Sequence, residues 1–157
     1  MNPDDIIFTI LTRHAVPFVV IGGQAVIEHG YVRVTEDTDL VFRRSDATEA
    51  ALLVALRELN ASWVSAEKDP ATGVERLVPV SAAHVATQHL MMLHTDAGFL
   101  DLFDYIPGFP DESVDSLFAD AEVRHGVRFA SLPWLRRMKE VAGRPKDLDD
   151  LANLTPP

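Results

Sequence analysis

The chain has 157 residues, of which 47% are hydrophobic and 24% charged, with no cysteine and a formal net charge of −10. That length suits one domain able to bury roughly 70% of its unfolded surface. The lack of Cys excludes disulfides and thiolate metal sites, and the acidic balance argues against a surface that binds nucleic acid mainly by neutralising many phosphates. No apolar run approaches the ~20 residues of a membrane span. The opening Met-Asn-Pro-Asp-Asp lacks the basic and apolar regions of a signal peptide, so a cytoplasmic protein that does not meet the membrane is expected.

Asn2, Pro3, Asp4 and Asp5 supply a capping side chain, a first-turn Pro and acids that face the helix dipole. Ile6, Ile7, Ile10 and Leu11 follow at helical spacing and predict a helix from about Pro3 to His14. Phe18 to Ile21 is a continuous apolar run of the kind a buried strand shows. Gly22 and Gly23 end it, and Gln24 to His29 reads as a short helix closed by Gly30. Thr38 to Phe42 is a second strand, with Asp37 and Asp39 on one face because side chains alternate.

Ser45 caps a further helix with a buried stripe of Leu52, Leu53, Leu56 and Leu59, stopped at Asn60. Ser62 to Ala66 and Glu75 to Val80 are strands on either side of a turn at Asp69 to Gly73. Gln88 to His94 and Phe99 to Tyr105 flank Thr95-Asp96-Ala97-Gly98 and form a hairpin that puts Asp101 inside an otherwise apolar strand. Asp111 to Ala119 reads as a short helix, and Val123-Arg124 pairs with Val127 to Phe129 across His125-Gly126. An amphipathic helix from Leu132 to Val141 uses Trp134, Leu135 and Met138 and ends at Gly143. The last helix starts near Pro145 and is expected to bury Leu148 and Leu151 before a frayed Thr-Pro-Pro end.

Residues 1–157 therefore read as a single mixed α/β (α+β) domain, with a core over about 1–130 and a helical tail over about 131–154. The basic groupings Arg43-Arg44, Arg136-Arg137-Lys139 and Arg144-Lys146 read as solvated helix ends unless they form a small local basic site, and Trp63 and Trp134 read as core.

One stretch carries chemistry. Gly22 and Gly23 at a strand-to-helix junction let the backbone approach a bound group, and the amides opening the helix favour an anion there. Asp37 and Asp39 on one strand face repel each other unless a cation or basic group lies between them. Mg²⁺ takes oxygen ligands, commonly one or two carboxylates with substrate phosphates and water. Asp101 is the best third carboxylate, because an uncompensated charge buried in an apolar strand is costly. Asp104 points to the opposite face and Asp96 lies in a turn, so both are read as structural or solvated.

This ordered set, Gly-Gly, then Asp-x-Asp, then a distant Asp on a hairpin strand, resembles the nucleotidyltransferase (polymerase-beta-like) superfamily. It is similar in particular to small bacterial members akin to the AbiEii-type toxins of abortive-infection and toxin–antitoxin systems. Lys139 and Arg144-Pro145-Lys146-Asp147-Leu148 are similar to the Lys and Arg-x-Lys-Asp motif that follows the core there.

The resemblance implies a mixed sheet flanked by helices and transfer of a nucleotidyl group from a nucleoside triphosphate to a hydroxyl on RNA, protein or a small molecule. It implies that Gly22 and Gly23 hold the triphosphate and that Asp37, Asp39 and Asp101 bind Mg²⁺ or Mn²⁺. Asp101 would also deprotonate the acceptor, and two metal ions about 3.5–4 Å apart would steady the attacking and leaving oxygens. Lys139 would offset phosphate charge with Asp147 orienting it or a neighbouring basic group, and Arg33 and Thr35 would either reach the nucleotide or only support the loop. Many members have Gly-Ser where this chain has Gly-Gly-Gln, which leaves the choice of nucleotide open. The chain has little beyond the core to bind an acceptor, so a partner protein or a homodimer is expected to complete that site.

Two other readings compete. A strand, glycines, a helix and an acid also outline a Rossmann unit, but the third glycine is missing, the helix is short and there are two acids. A non-catalytic relative serving as a binding or antitoxin-like partner is opposed only by the intact acidic triad. His84, His89 and His94 lack any His-Glu-x-x-His spacing, and no Gly-x-Ser-x-Gly elbow occurs.

Overall fold

The computed structural model describes residues 3–154. The expected Asn2 cap, the side chains of Pro3 and Asp4 and the Thr-Pro-Pro end lie outside the described residues. Helix α1 (Pro3–Arg13) leads into β1 (Phe18–Ile21), whose four residues are all buried, as a continuous apolar run requires. Helix α2 (Gly22–Glu28) begins at the glycines themselves rather than at Gln24. β2 (Asp37–Phe42) follows, then α3 (Asp46–Glu58), whose Ser45 hydroxyl accepts from the Thr48 amide as an N-cap. Leu52, Leu56 and Leu59 are buried while Leu53 is half-buried, and Asn60 closes the helix in the left-handed region (φ 53°).

The hairpin β3 (Ser62–Lys68) and β4 (Glu75–Pro79) comes next, then a helix that the sequence reading lacks, α4 (Ala82–Thr87), capped by Ser81. β5 (Leu90–Thr95) and β6 (Gly98–Phe103) form the second hairpin, with Thr95 opposite Gly98. Helix α5 (Val114–Asp120) precedes β7 (Glu122–Arg124) and β8 (Val127–Phe129), which turn at His125 and Gly126, both at positive φ. Helices α6 (Leu132–Ala142) and α7 (Pro145–Asn153) close the chain, separated by Gly143 in the left-handed cap conformation.

All strands join one eight-stranded mixed sheet in the order β4-β3-β5-β6-β2-β1-β8-β7. The central strand β2 runs antiparallel to β1 and parallel to β6. Alternation then sorts the faces. Thr38, Leu40 and Phe42 of β2, Leu100 and Leu102 of β6, and Met91 and Leu93 of β5 are buried to within 1%. The alternate positions Asp37, Asp39, Phe99, Asp101, Met92 and His94 lie on the opposite, more open face. Helices α1, α3 and α4 pack in sequence on one another, and α2, α6 and α7 form a second group that borders β1 and β2.

Three expectations need correction. Helix α7 does not bury its leucines: Leu148 is 57% exposed and Leu151 half-buried, whereas Asp147 and Asp150 are fully buried. Its inward stripe is made of carboxylates because the surface it meets carries cations. Arg44 is no solvated helix end. Its guanidinium donates to Asp104 and Glu49 (2.8 and 2.7 Å) and to the carbonyls of Val85 and Gln88, riveting α3, α4 and β6. Trp63 is only partly buried, stacked on His84 of α4 (ring centroids 5.0 Å apart).

These burials predict that Leu56→Ala lowers unfolding free energy by about 2–5 kcal/mol. Leu148→Ala stays within about 0.5 kcal/mol. Denaturant titration of both variants measures the contrast.

Candidate active site

Pairing register assembles the site. β1 places Ile21 opposite Asp39, and β6 places Asp101 opposite Asp39 on the other side. Asp39 therefore sits between the glycine turn and Asp101, with Asp37 two residues away on the same face. The carboxyl groups of Asp39 and Asp101 share a hydrogen bond. Burial, then the charges of Asp39 and Asp37, push the Asp101 carboxyl up to about 7. Burial and the Asp37 charge also raise Asp39, against the opposing pull of Lys139 and Lys146. Like charges held this close retain a proton until a cation replaces it.

The glycines meet a demand that the sequence reading did not contain. A Cβ on Gly22 would lie 2.2 Å from Asp39 Oδ2, and one on Gly23 would lie 2.6 Å from Thr35 Oγ1. Gly22 also has φ +64°, a conformation that L side chains rarely adopt. The bare backbone makes room for the carboxylate and for the loop that precedes it.

That loop, residues 30–36, is tied to α7. Tyr31 donates to Asp149 (2.7 Å), and Arg33 forks onto Asp150 through Nε (2.6 Å) and Nη2 (2.9 Å). Thr35 Oγ1 donates to the Asp37 carbonyl, so its hydroxyl holds the strand entry. From the other side Lys139 Nζ contacts Asp150 Oδ2 (2.9 Å) and Asp147 Oδ1 (3.2 Å). Arg144 Nε donates to Asp147 Oδ2 (2.7 Å), which also accepts the Arg144 backbone amide as a helix cap. Burial alone would raise both carboxyls. The bonds from Arg144 and Lys139 to Asp147, and from Arg33 and Lys139 to Asp150, outweigh it and hold both below the usual range.

Two clefts meet at the acids. One, of about 180 Å³, brings Asp37, Asp39 and Asp101 together with Lys139, Arg144 and Lys146. The other, of about 270 Å³, runs from Asp37 and Asp39 past Gly22, Gly23, Arg33 and Thr35 to the same cations. All the residues singled out in the sequence thus gather in one region. Asp147 is at the edge of the smaller cleft but fully buried, its carboxylate bonded to Lys139 and Arg144. Lys139 is itself buried, with two of its three donors engaged. Asp150 was missed, although its spacing from Asp147 puts both on one helix face. Arg144 and Lys146 of the Arg-x-Lys-Asp motif are both exposed at the cleft.

Asp104 and Asp96 stand outside this region. Asp104 pairs with Arg44 and His89 (both 2.8 Å), and Asp96 accepts from Asn60. Among the described residues no group of three or more His, Cys, Asp or Glu is arranged so that it could hold a metal ion.

No protein-family model and no curated protein matches the sequence. Solved structures do. The solution structure of the antibiotic-resistance factor ANT(2'')-Ia aligns over 97% of this chain and 80% of its own, with a TM-score of 0.59 and 15% identity. The chain has the nucleotidyltransferase fold. An antigenic nucleotidyltransferase-like protein from Paracoccidioides brasiliensis aligns over 98% of this chain and 77% of its own, at TM-score 0.54 and 17% identity. JHP933 from Helicobacter pylori aligns over 95% of this chain but 61% of its own, at TM-score 0.50 and 20% identity. The nucleotidyltransferase fold was the expected one, a mixed sheet flanked by helices with a helical tail. No described helix is long and apolar enough to cross a membrane.

Two stability predictions follow from the charge arrangement. The folded Asp101 pKa lies above the unfolded value of about 3.9, so folding takes up a proton and stability falls as pH rises from about 4 to 7. Asp101→Asn, unfolded thermally at pH 8 in a chelator, is more stable than wild type by on the order of 1 kcal/mol. Asp150 behaves oppositely. Its depressed pKa contributes stability above about pH 4 that disappears as the pH falls through the folded value. Asp150→Ala leaves Arg33 and buried Lys139 short of a partner and costs about 3–5 kcal/mol by denaturant titration at pH 7.

Proposed function

We propose that the protein is a metal-dependent nucleotidyltransferase that moves a nucleotidyl group from a nucleoside triphosphate to an acceptor hydroxyl. The observation that carries this reading is the Asp39–Asp101 register pair, with Asp37 beside it and a cationic cleft adjoining. Asp37, Asp39 and Asp101 would hold Mg²⁺ or Mn²⁺. The donor set fits a hard divalent cation, being all oxygen, and two of its members are proton-linked by mutual repulsion that such an ion relieves. When bound, the metal offsets charge on the phosphates.

The chain's own groups do the rest. Backbone at Gly22 and Gly23 comes close to the triphosphate because no Cβ intervenes, and Arg33, Arg144 and Lys146 face its negative charge. Lys139 contributes its positive field from a buried position, held there by Asp147 and Asp150. Asp101 receives the proton of the acceptor hydroxyl as its oxygen bonds to the α-phosphorus and pyrophosphate departs. A role in phage defence or in a toxin–antitoxin pair rests on the sequence resemblance alone.

Calorimetric titration with ATP, GTP, CTP and UTP in Mg²⁺ tests the proposal. At least one nucleotide binds, and Asp39→Ala weakens it by about a hundredfold or more. Binding of none of the four would refute the enzyme and favour a non-catalytic partner protein.

A further inference from the structure

A third cavity, of about 510 Å³, opens onto the same acids from another side. It shares Asp37 and Asp101 with the cleft that holds Lys139, yet no Lys or Arg lines it. Its origin is a parting of strands. β3 is in register with β5 only at Ser62↔His94 and Trp63↔Leu93, and beyond Trp63 it pairs with β4 alone. The space left beside β5 is walled by rings. Trp63 and His84 lie nearly parallel (3°) at 5.0 Å, and His94 meets Phe99 edge-on at 4.7 Å. Phe99 and Met92 are 46% and 62% exposed, unusually apolar surface to leave next to two carboxylates.

His84 supplies an independent sign. Its Nε2 is buried with no hydrogen-bond partner among the described residues. Burial holds its pKa below the ordinary histidine value, which keeps the ring neutral. A buried polar atom without a partner is costly, and it belongs to a ring that lines this cavity.

We infer that this cavity is the acceptor site, and that the acceptor is a neutral, flat, ring-bearing small molecule that presents a hydroxyl to Asp101. The inference rests on the nucleotidyltransferase reading for the word acceptor, and on the cavity itself for the chemical class. A volume of about 510 Å³ lies within the roughly 300–1,000 Å³ of sites for small organic ligands. Ring walls favour planar guests through offset and edge contacts. A polynucleotide would bring phosphates to a wall whose only formal charges are carboxylates, on a chain of net charge −10. A polycation would compete for those same two carboxylates with the metal ion. In the transfer the acceptor oxygen bonds to the α-phosphorus and the bond to the bridging β-oxygen breaks. Pyrophosphate leaves with that electron pair, and the hydroxyl proton passes to Asp101.

Saturation-transfer NMR on the full chain, without nucleotide or metal, separates this inference from the nucleotide reading. The probes are 2-naphthol, 7-hydroxycoumarin and 7-hydroxyflavone, compared with kanamycin and a short RNA ending in a free 3′-hydroxyl. At least one aromatic probe binds, its affinity drops tenfold or more in Trp63→Ala, and it stays within twofold in Leu148→Ala, a change on the exposed face of α7. Met92→Trp, which crowds the cavity from an exposed position, gives the same loss should Trp63→Ala fail to fold. The inference is overturned if no aromatic probe binds, or if neither cavity variant weakens it. It is equally overturned if kanamycin or the RNA alone responds to those variants. Failure of nucleoside triphosphates to bind in calorimetry would leave the aromatic-ligand result standing and remove only the acceptor role.

Discussion

Everything at the centre of this fold answers to one repulsion. A parallel pairing of β2 with β6 sets Asp39 directly across from Asp101, and Asp37 stands one step along the same face. Three carboxyls so placed are unfavourable as an isolated group. The surroundings show several partial remedies: a shared hydrogen bond, a retained proton, and the fields of Lys139 and Lys146. The glycine turn is a spatial counterpart, since any side chain at Gly22 would press on the Asp39 carboxylate. A fold seeking stability alone has no reason to keep such a cluster, and strain of this kind is commonly retained for chemistry.

The second organising element is the pair of aspartates on α7. They compensate cations that arrive from three places: Arg33 from the loop before β2, Lys139 from α6, and Arg144 from the connection between the last two helices. The tail, expected to bring Lys139 and Asp147 to the site, is bonded into that region through Asp150 as well. Its charges balance one another, while the loop it restrains carries Thr35 against Gly23.

Much of this was legible in the order of residues, for physical reasons. Strand periodicity put Asp37 and Asp39 on one face, and an acid inside the apolar run around Asp101 could be understood only as compensated or functional. The turn at His125-Gly126 and the caps at Ser45 and Gly143 carried local signatures that survive without tertiary context. What was not legible depended on contacts distant in sequence. Amphipathic reasoning assigns leucines to the inside of α7, but Arg33, more than a hundred residues earlier, makes the carboxylate face the buried one. Helix α4 spans six residues, too few for periodicity to register. Trp63 read as core because a large apolar ring usually is; the parting of β3 from β5, which leaves it beside a cavity, has no sequence mark.

The burial of Lys139 has one more consequence, which concerns ionic strength. Exposed charges such as Lys146 and Arg144 are screened by salt over a Debye length of about 8–10 Å under ordinary conditions. Lys139, enclosed with Asp147 and Asp150, is far less open to mobile ions. The cleft thus combines exposed cations whose field fades as salt is added with a buried ion-pair network that mobile ions reach far less.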